Sequence, residues 1–220
     1  MFFYTPLFQW LFPSISFGAI VGNIKVGSFF RGVASTITTH SLIEYRRTIA
    51  TSAFAFVGTI LGASVIASLD QRWLFPVMIL AIVVSETAPL IEKKINERTF
   101  SIASFLIGAY TGFLGAGTGI LLVALFRITH PEDKDIAVAK VQARFSEFLL
   151  GITAVLVHWF HGNLHLEIWL PWSIGAFAGG MLGGLLLKRI SGIPPHLQKI
   201  ILRTSFALAF IVSAWTFFSV

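Results

Sequence analysis

The sequence predicts an all-α integral membrane protein, and three observations predict it. Hydrophobic residues make up 55% of the 220-residue chain and charged residues only 12%. Mean hydropathy is +0.82, a value that water cannot solvate as a soluble surface. The apolar residues also fall into seven long stretches separated by short charged joints, as spanning helices of about 20 residues require. A lipid-facing β-barrel would instead alternate polar and apolar positions.

The stretches cover residues 14–43, 48–69, 73–91, 100–126, 135–160, 168–187 and 197–220, which predicts about seven transmembrane helices. Residues 1–12 are apolar but bracketed by Pro6 and Pro13 and too short to cross. No joint is long enough to fold alone, so residues 1–220 are expected to form a single membrane domain.

Two similar halves emerge when the chain is compared with itself. The segment around Lys25 aligns with that around Lys140, Gly58 to Gly62 with Gly179 to Gly183, and Val84-Ser85 with Val212-Ser213, in the same order and at a slowly growing lag. Residues 1–98 form the first repeat and 99–220 the second. Met1 then falls near Thr118, so the first repeat lacks a counterpart of residues 100–117 and is expected to be shortened at its N-terminus.

Lys and Arg mark the cytoplasmic side. Arg46 and Arg47, Lys93, Lys94 and Arg98, Arg127 and Lys134, and Lys188 and Arg189 are assigned there, and the joints 70–72 and 161–167 outside. Only the stretch 100–126 conflicts, because both of its flanks are basic. It also holds Gly108, Gly112, Gly115, Gly117 and Gly119, each costing about 1 kcal/mol in a helix interior relative to alanine. A Gly-rich broken or re-entrant segment is therefore expected, with a helix resuming at about Ile120.

A break there frees backbone N–H groups, and a helix N-terminus pointing into the membrane is an anion site. Gly115, Gly117, Thr118 and Gly119 are candidate substrate-binding residues, the alternative being that these glycines only allow close packing. Lys25 and Lys140 lie inside apolar stretches, where a charge is costly unless paired, and two related cations would flank an anion. Snorkelling to the interface is the alternative for both. Arg144 follows Lys140 at helical spacing, and Glu147 either neutralises it or takes up a proton to couple transport, a role also open to Glu86.

His158, His161, His165 and Glu167 lie near one external joint, and a metal-binding protein is one alternative function. A non-transporting helical subunit completed by forming a homo-oligomer is another. The six tryptophans are expected to act as interfacial anchors. The net charge of +6 follows topology rather than a nucleic-acid surface. With no cysteine and no nucleotide cradle or nucleophile elbow, neither enzyme, ATP-driven pump nor cofactor is expected.

The run from Gly112 through Gly115 to Gly119, then residues 137–146, then Gly162-Asn163-Leu164 before a Trp-containing helix, resembles the sulfite exporter TauE/SafE family, also called toluene sulfonate uptake permeases. The likeness covers nearly the whole chain and is best from Gly108 onward. It implies a bacterial or archaeal inner-membrane permease, usually of eight spans in two similar halves, carrying sulfite, a sulfonate or a related organic anion. Two features depart from the family: its first half normally opens with its own Gly-rich motif, and its second half often has Asn where Glu147 falls.

Overall fold

Inside a bilayer each backbone N–H and C=O must be bonded within its own segment, and the helix is the local way to do so. The computed structural model describes residues 14–69, 99–115, 118–129 and 136–191, together with Phe8, Leu11, Phe12, Pro76, Ile193, Pro194 and Leu197. Within them all regular structure is helical. The elements are α1 (Phe17–Thr39), a 3-10 turn (His40–Leu42), α2 (Tyr45–Ala67), α3 (Phe100–Phe113), α4 (Thr118–Thr129), α5 (Ile136–Phe160) and α6 (Leu166–Ile190). The expected spans at 73–91 and 197–220, with Glu86, and also Gly117, lie outside the described residues.

Among the described residues three helices, α2, α5 and α6, are long and apolar enough to cross a membrane. α1 matches α2 in length but carries Asn23, Lys25 and Arg31, and it is the central helix: most of its residues are buried against α6, α5 and α2. Asn23 and Lys25 are shielded by protein, while Arg31 stays partly exposed. α2 and α6 show the reverse pattern, exposing Phe54, Val57, Leu61 and Val65 on one and Leu170, Ile174 and Leu182 on the other, which in a bilayer face lipid.

Contacts at successive turns fix the helix directions. α2 and α3 run parallel, since Ala55 meets Gly108 and Thr59 meets Gly112. α2 and α5 are also parallel, with Thr48 bonded to Gln142 and Ser52 to Ser146. α1 opposes α5, pairing Gly22 with His158 and Gly32 with Phe148, whereas α6 follows α1. α4 opposes α5: its Gly119 meets Glu147, and its later residues Leu122, Leu125 and Phe126 share an apolar cluster with Ile107 of α3 and Ala143 of α5.

It follows that α3 and α4 form a helical hairpin that enters and returns at one end of the bundle. This bears on the charge conflict of the stretch 100–126, because Thr99 at its start and Arg127 at its finish sit at the same end. Arg46, Arg47, Arg127, Lys188 and Arg189 all gather at this basic end. His161, His165 and Glu167 occupy the opposite, histidine end. The sequence-based boundary needs a small correction: α4 resumes at Thr118 rather than at about Ile120.

Close packing holds the hairpin against α2. A Cβ on Gly58, Gly62, Gly108 or Gly112 would run into the facing backbone, so the two helices touch backbone to backbone. Ser104 donates to the Thr51 carbonyl at 3.1 Å and Thr59 to the Gly108 carbonyl at 3.1 Å along the same seam.

Each end of the bundle is tied by a side-chain amide. At the basic end Gln142 accepts from Thr48 Oγ1 at 2.6 Å and from Glu44 N at 3.2 Å, and donates to the Leu42 carbonyl at 3.1 Å. At the histidine end Asn163 donates to the Ala67 carbonyl at 2.9 Å. There Asn23 donates to Asn163 O at 3.2 Å and accepts from His165 N at 2.9 Å. Trp159 is exposed as an anchor would be, but Trp172 packs edge-on against Phe8 and over Gly27 inside the bundle, correcting its assignment to the interface.

Gly112→Ala is expected to cost about 1–3 kcal/mol, because neither backbone can retreat without opening the α2–α3 seam. Gly175→Ala, whose Cβ meets nothing within 4 Å, is expected to leave stability unchanged. Thermal unfolding of the two variants in detergent measures the difference.

Candidate functional site

α3 stops because Gly115 takes φ +73°, a left-handed conformation that side-chain-bearing residues rarely adopt. The N–H groups of Leu114 and Gly115 both bond back to the Tyr110 carbonyl, at 3.0 and 2.9 Å, in a glycine-terminated helix end. This leaves the neighbouring carbonyl of Thr111 without a helical partner. Lys25, a residue only 5% exposed, supplies one: its Nζ donates to Thr111 O. The ammonium therefore meets the negative end of α3, where a cation is favoured.

α4 starts at Thr118 with its positive end at the same place. The hydroxyl of Thr118 is buried and has no hydrogen-bond partner. It lies 3.5 Å from the point where a Cβ on Gly115 would stand, and Lys25 Nζ lies 2.6 Å from that point. Only a glycine leaves this space open.

Glu147 of α5 comes to the first turn of α4. A Cβ on Gly119 would stand 3.0 Å from its Oε1, so the carboxylate rests over that glycine. Its Oε2 is ion-paired with Arg144 and lies 3.8 Å from Arg31 Nη2 of α1. Both guanidiniums remain about 40% exposed, while the carboxylate side chain is 16% exposed. Three cations, Lys25, Arg31 and Arg144, thus surround one carboxylate at the hairpin tip. The formal balance is positive.

Of the residues singled out from the sequence, Lys25, Gly115, Thr118, Gly119, Arg144 and Glu147 are brought together. Lys140 is not: it is half-buried one turn of α5 before Arg144, and no described hairpin tip faces it as α3 faces Lys25. Arg31 was missed. Its signal was a charge inside an apolar stretch, six positions after Lys25.

The histidines separate. His158 turns inward onto Gly22, His161 is exposed with Nδ1 on the Val157 carbonyl at 2.8 Å, and His165 Nδ1 lies 3.6 Å from Glu167 Oε1. Among the described residues no three His, Cys, Asp or Glu side chains are grouped to hold a metal. The metal-binding alternative therefore has no ligand set there.

Gly115→Ala forces a side chain into the left-handed region, at a cost of about 1–2 kcal/mol, and its methyl pushes on the Lys25 ammonium. The expected result is a lowered unfolding midpoint in detergent together with lost transport. A variant that is destabilised yet transports at the wild-type rate would separate the glycine from the site.

Comparison with curated proteins returns no match, and neither does comparison with solved structures. A family model does match, that of the sulfite exporter TauE/SafE, over residues 2–214. A broken helix at Gly115, a membrane-type bundle and this near-complete match agree, and the chain belongs to the sulfite exporter TauE/SafE family, whose members are membrane transporters of sulfite-type anions.

Proposed function

We propose that the protein is a multi-pass secondary carrier of the cell inner membrane that moves a small oxyanion, sulfite or a sulfonate, through the α3–α4 hairpin tip. The observation that carries this reading is the buried ammonium of Lys25 beside the unpartnered Thr118 hydroxyl at the start of α4. A buried cation and a buried free hydroxyl are each costly, and an anionic oxygen satisfies both.

Lys25 lies about 12 Å along α1 from its first residue, a depth at which water is scarce and electrostatic attraction strong. Backbone N–H groups at Gly119 and the hydroxyl of Thr118 replace the anion's hydration shell. Arg31 and Arg144 hold the Glu147 carboxylate beside it, so the site keeps a positive balance without an occupant. Protonation of Glu147 would loosen that pairing, which is how proton uptake would couple to anion movement. Lys140, further toward the basic end, serves as an approach cation rather than a ligand.

Alternating access follows from the two halves. α1 opposes its counterpart α5, and α2 opposes α6, as an inverted repeat requires. The amide ties both join the first half to the second: Asn163 with Ala67 and Asn23 at one end, Gln142 with Leu42 and Thr48 at the other. Opening one tie while the other holds exposes the tip to one side at a time.

Radiolabelled sulfite uptake into proteoliposomes tests the assignment. Lys25→Gln is expected to lower the rate at least tenfold, about 1.4 kcal/mol of lost binding in the transport cycle. Lys140→Gln is expected to raise the apparent KM a few-fold with the maximal rate kept, about 1 kcal/mol of lost steering. Wild-type uptake by Lys25→Gln would remove the hairpin tip as the site.

A further inference from the structure

One buried group in the last turn of α5 has no role in the site as described. His158 is fully buried, and neither Nδ1 nor Nε2 has a hydrogen-bond partner. Its ring lies on Gly22 of α1, where a Cβ would stand 2.8 Å from Nδ1 and 3.0 Å from Cγ, so the glycine is what admits the imidazole. Gly22 and Lys25 are three residues apart and share one face of α1. The ring thus packs on the face of α1 that carries Lys25, whose ammonium reaches on to Gly115 and Thr111.

The charged groups that bear on the ring are few. Lys25 faces it from α1, and His161 follows one turn later on α5. Glu147 lies three turns back along α5, paired with Arg144 of the same helix and approached by Arg31 of α1. A buried imidazole with both nitrogens free destabilises a fold, and an apolar side chain of similar size is neutral or better. Such a group, fully buried in the last turn of α5, is the mark of a ligand-facing residue kept at a cost in stability.

We propose that His158 is a substrate-binding residue of the anion site, and that the site takes an oxyanion carrying a proton. The inference rests on the carrier reading above. A neutral imidazole offers one N–H and one bare nitrogen. A protonated monoanion of the hydrogensulfite type satisfies the whole set: its anionic oxygens go to Lys25 and Thr118, and its O–H goes to the bare nitrogen of His158. A dianion sets a lone pair against that nitrogen, and a methyl sulfonate leaves it unpaired.

The test compares sulfite with methanesulfonate, a monoanion without a titrating proton, in proteoliposomes of the full chain. Wild-type sulfite uptake is expected to rise as pH falls and hydrogensulfite replaces sulfite, with methanesulfonate uptake flat. In His158→Leu, acid-side sulfite uptake falls about tenfold, the loss of one hydrogen bond to a charged partner, and its pH dependence flattens. Methanesulfonate uptake stays within about twofold and the unfolding midpoint is no lower than wild type, because no buried polar atom is stranded. His158→Gln, which keeps an acceptor and a donor, retains part of the sulfite rate. A His158→Leu protein with the wild-type sulfite rate and pH profile overturns the inference alone, as does one that loses both anions equally with a lowered midpoint. A wild-type protein that moves neither anion overturns the carrier reading and the inference with it.

Discussion

A buried ammonium group at the end of a broken helix is the contact on which the site depends. Lys25 cannot stay in the middle of an apolar bundle without a partner, and the partner it has is the free carbonyl of Thr111. That carbonyl is free only because Gly115 ends α3. Without the glycine the helix would run on, its carbonyls would bond internally, and Lys25 would face a closed helix surface. The break that satisfies the lysine also starts α4 beside it, so one turn of backbone presents a negative helix end to the cation and a positive end to Thr118, Gly119 and the Glu147 carboxylate.

This arrangement explains the glycine distribution elsewhere. The hairpin tip can reach α1 only if α3 lies directly on α2, and Gly58, Gly62, Gly108 and Gly112 permit that by having no Cβ at the points of closest approach. α1 in turn is central, so Asn23 and Lys25 are covered by protein rather than by lipid. Gly22, Gly27 and Gly32 on α1 accept His158, Trp172 and Phe148. The hydrogen bonds of Gln142 and Asn163 then fix the two ends of the bundle around a middle where polar groups are left free.

Much of this was legible in the sequence because it rests on local rules. Apolar length marks α2, α5 and α6, and glycine density marks the break within two residues of its position. The conflict between two basic flanks already pointed to a re-entrant segment, and the α3–α4 hairpin is of that kind. Other features depend on tertiary packing and left no local trace. Lys140 aligns with Lys25 when the chain is compared with itself, yet among the described residues only Lys25 has a hairpin tip to meet. Arg31 sits in the same stretch as Lys25, but its distance to Glu147 is set by the crossing of α1 and α5. His158 reads as part of a histidine group at a joint, whereas one turn of helix points it into the bundle and away from His165. Trp172 was assigned to the interface by composition, and Gly27 opposite it is what lets it inside.

The central claim, that the broken-helix tip and Lys25 together hold the transported anion, is most directly tested by locating a bound anion. Selenite is close to sulfite in shape and charge and scatters anomalously. A crystal structure of the full chain with selenite is predicted to place its selenium between Lys25 Nζ, Thr118 Oγ1 and the first turn of α4. Selenium bound only at the exposed Arg46–Arg47 or Lys188–Arg189 surface, with the hairpin tip unchanged, would contradict it.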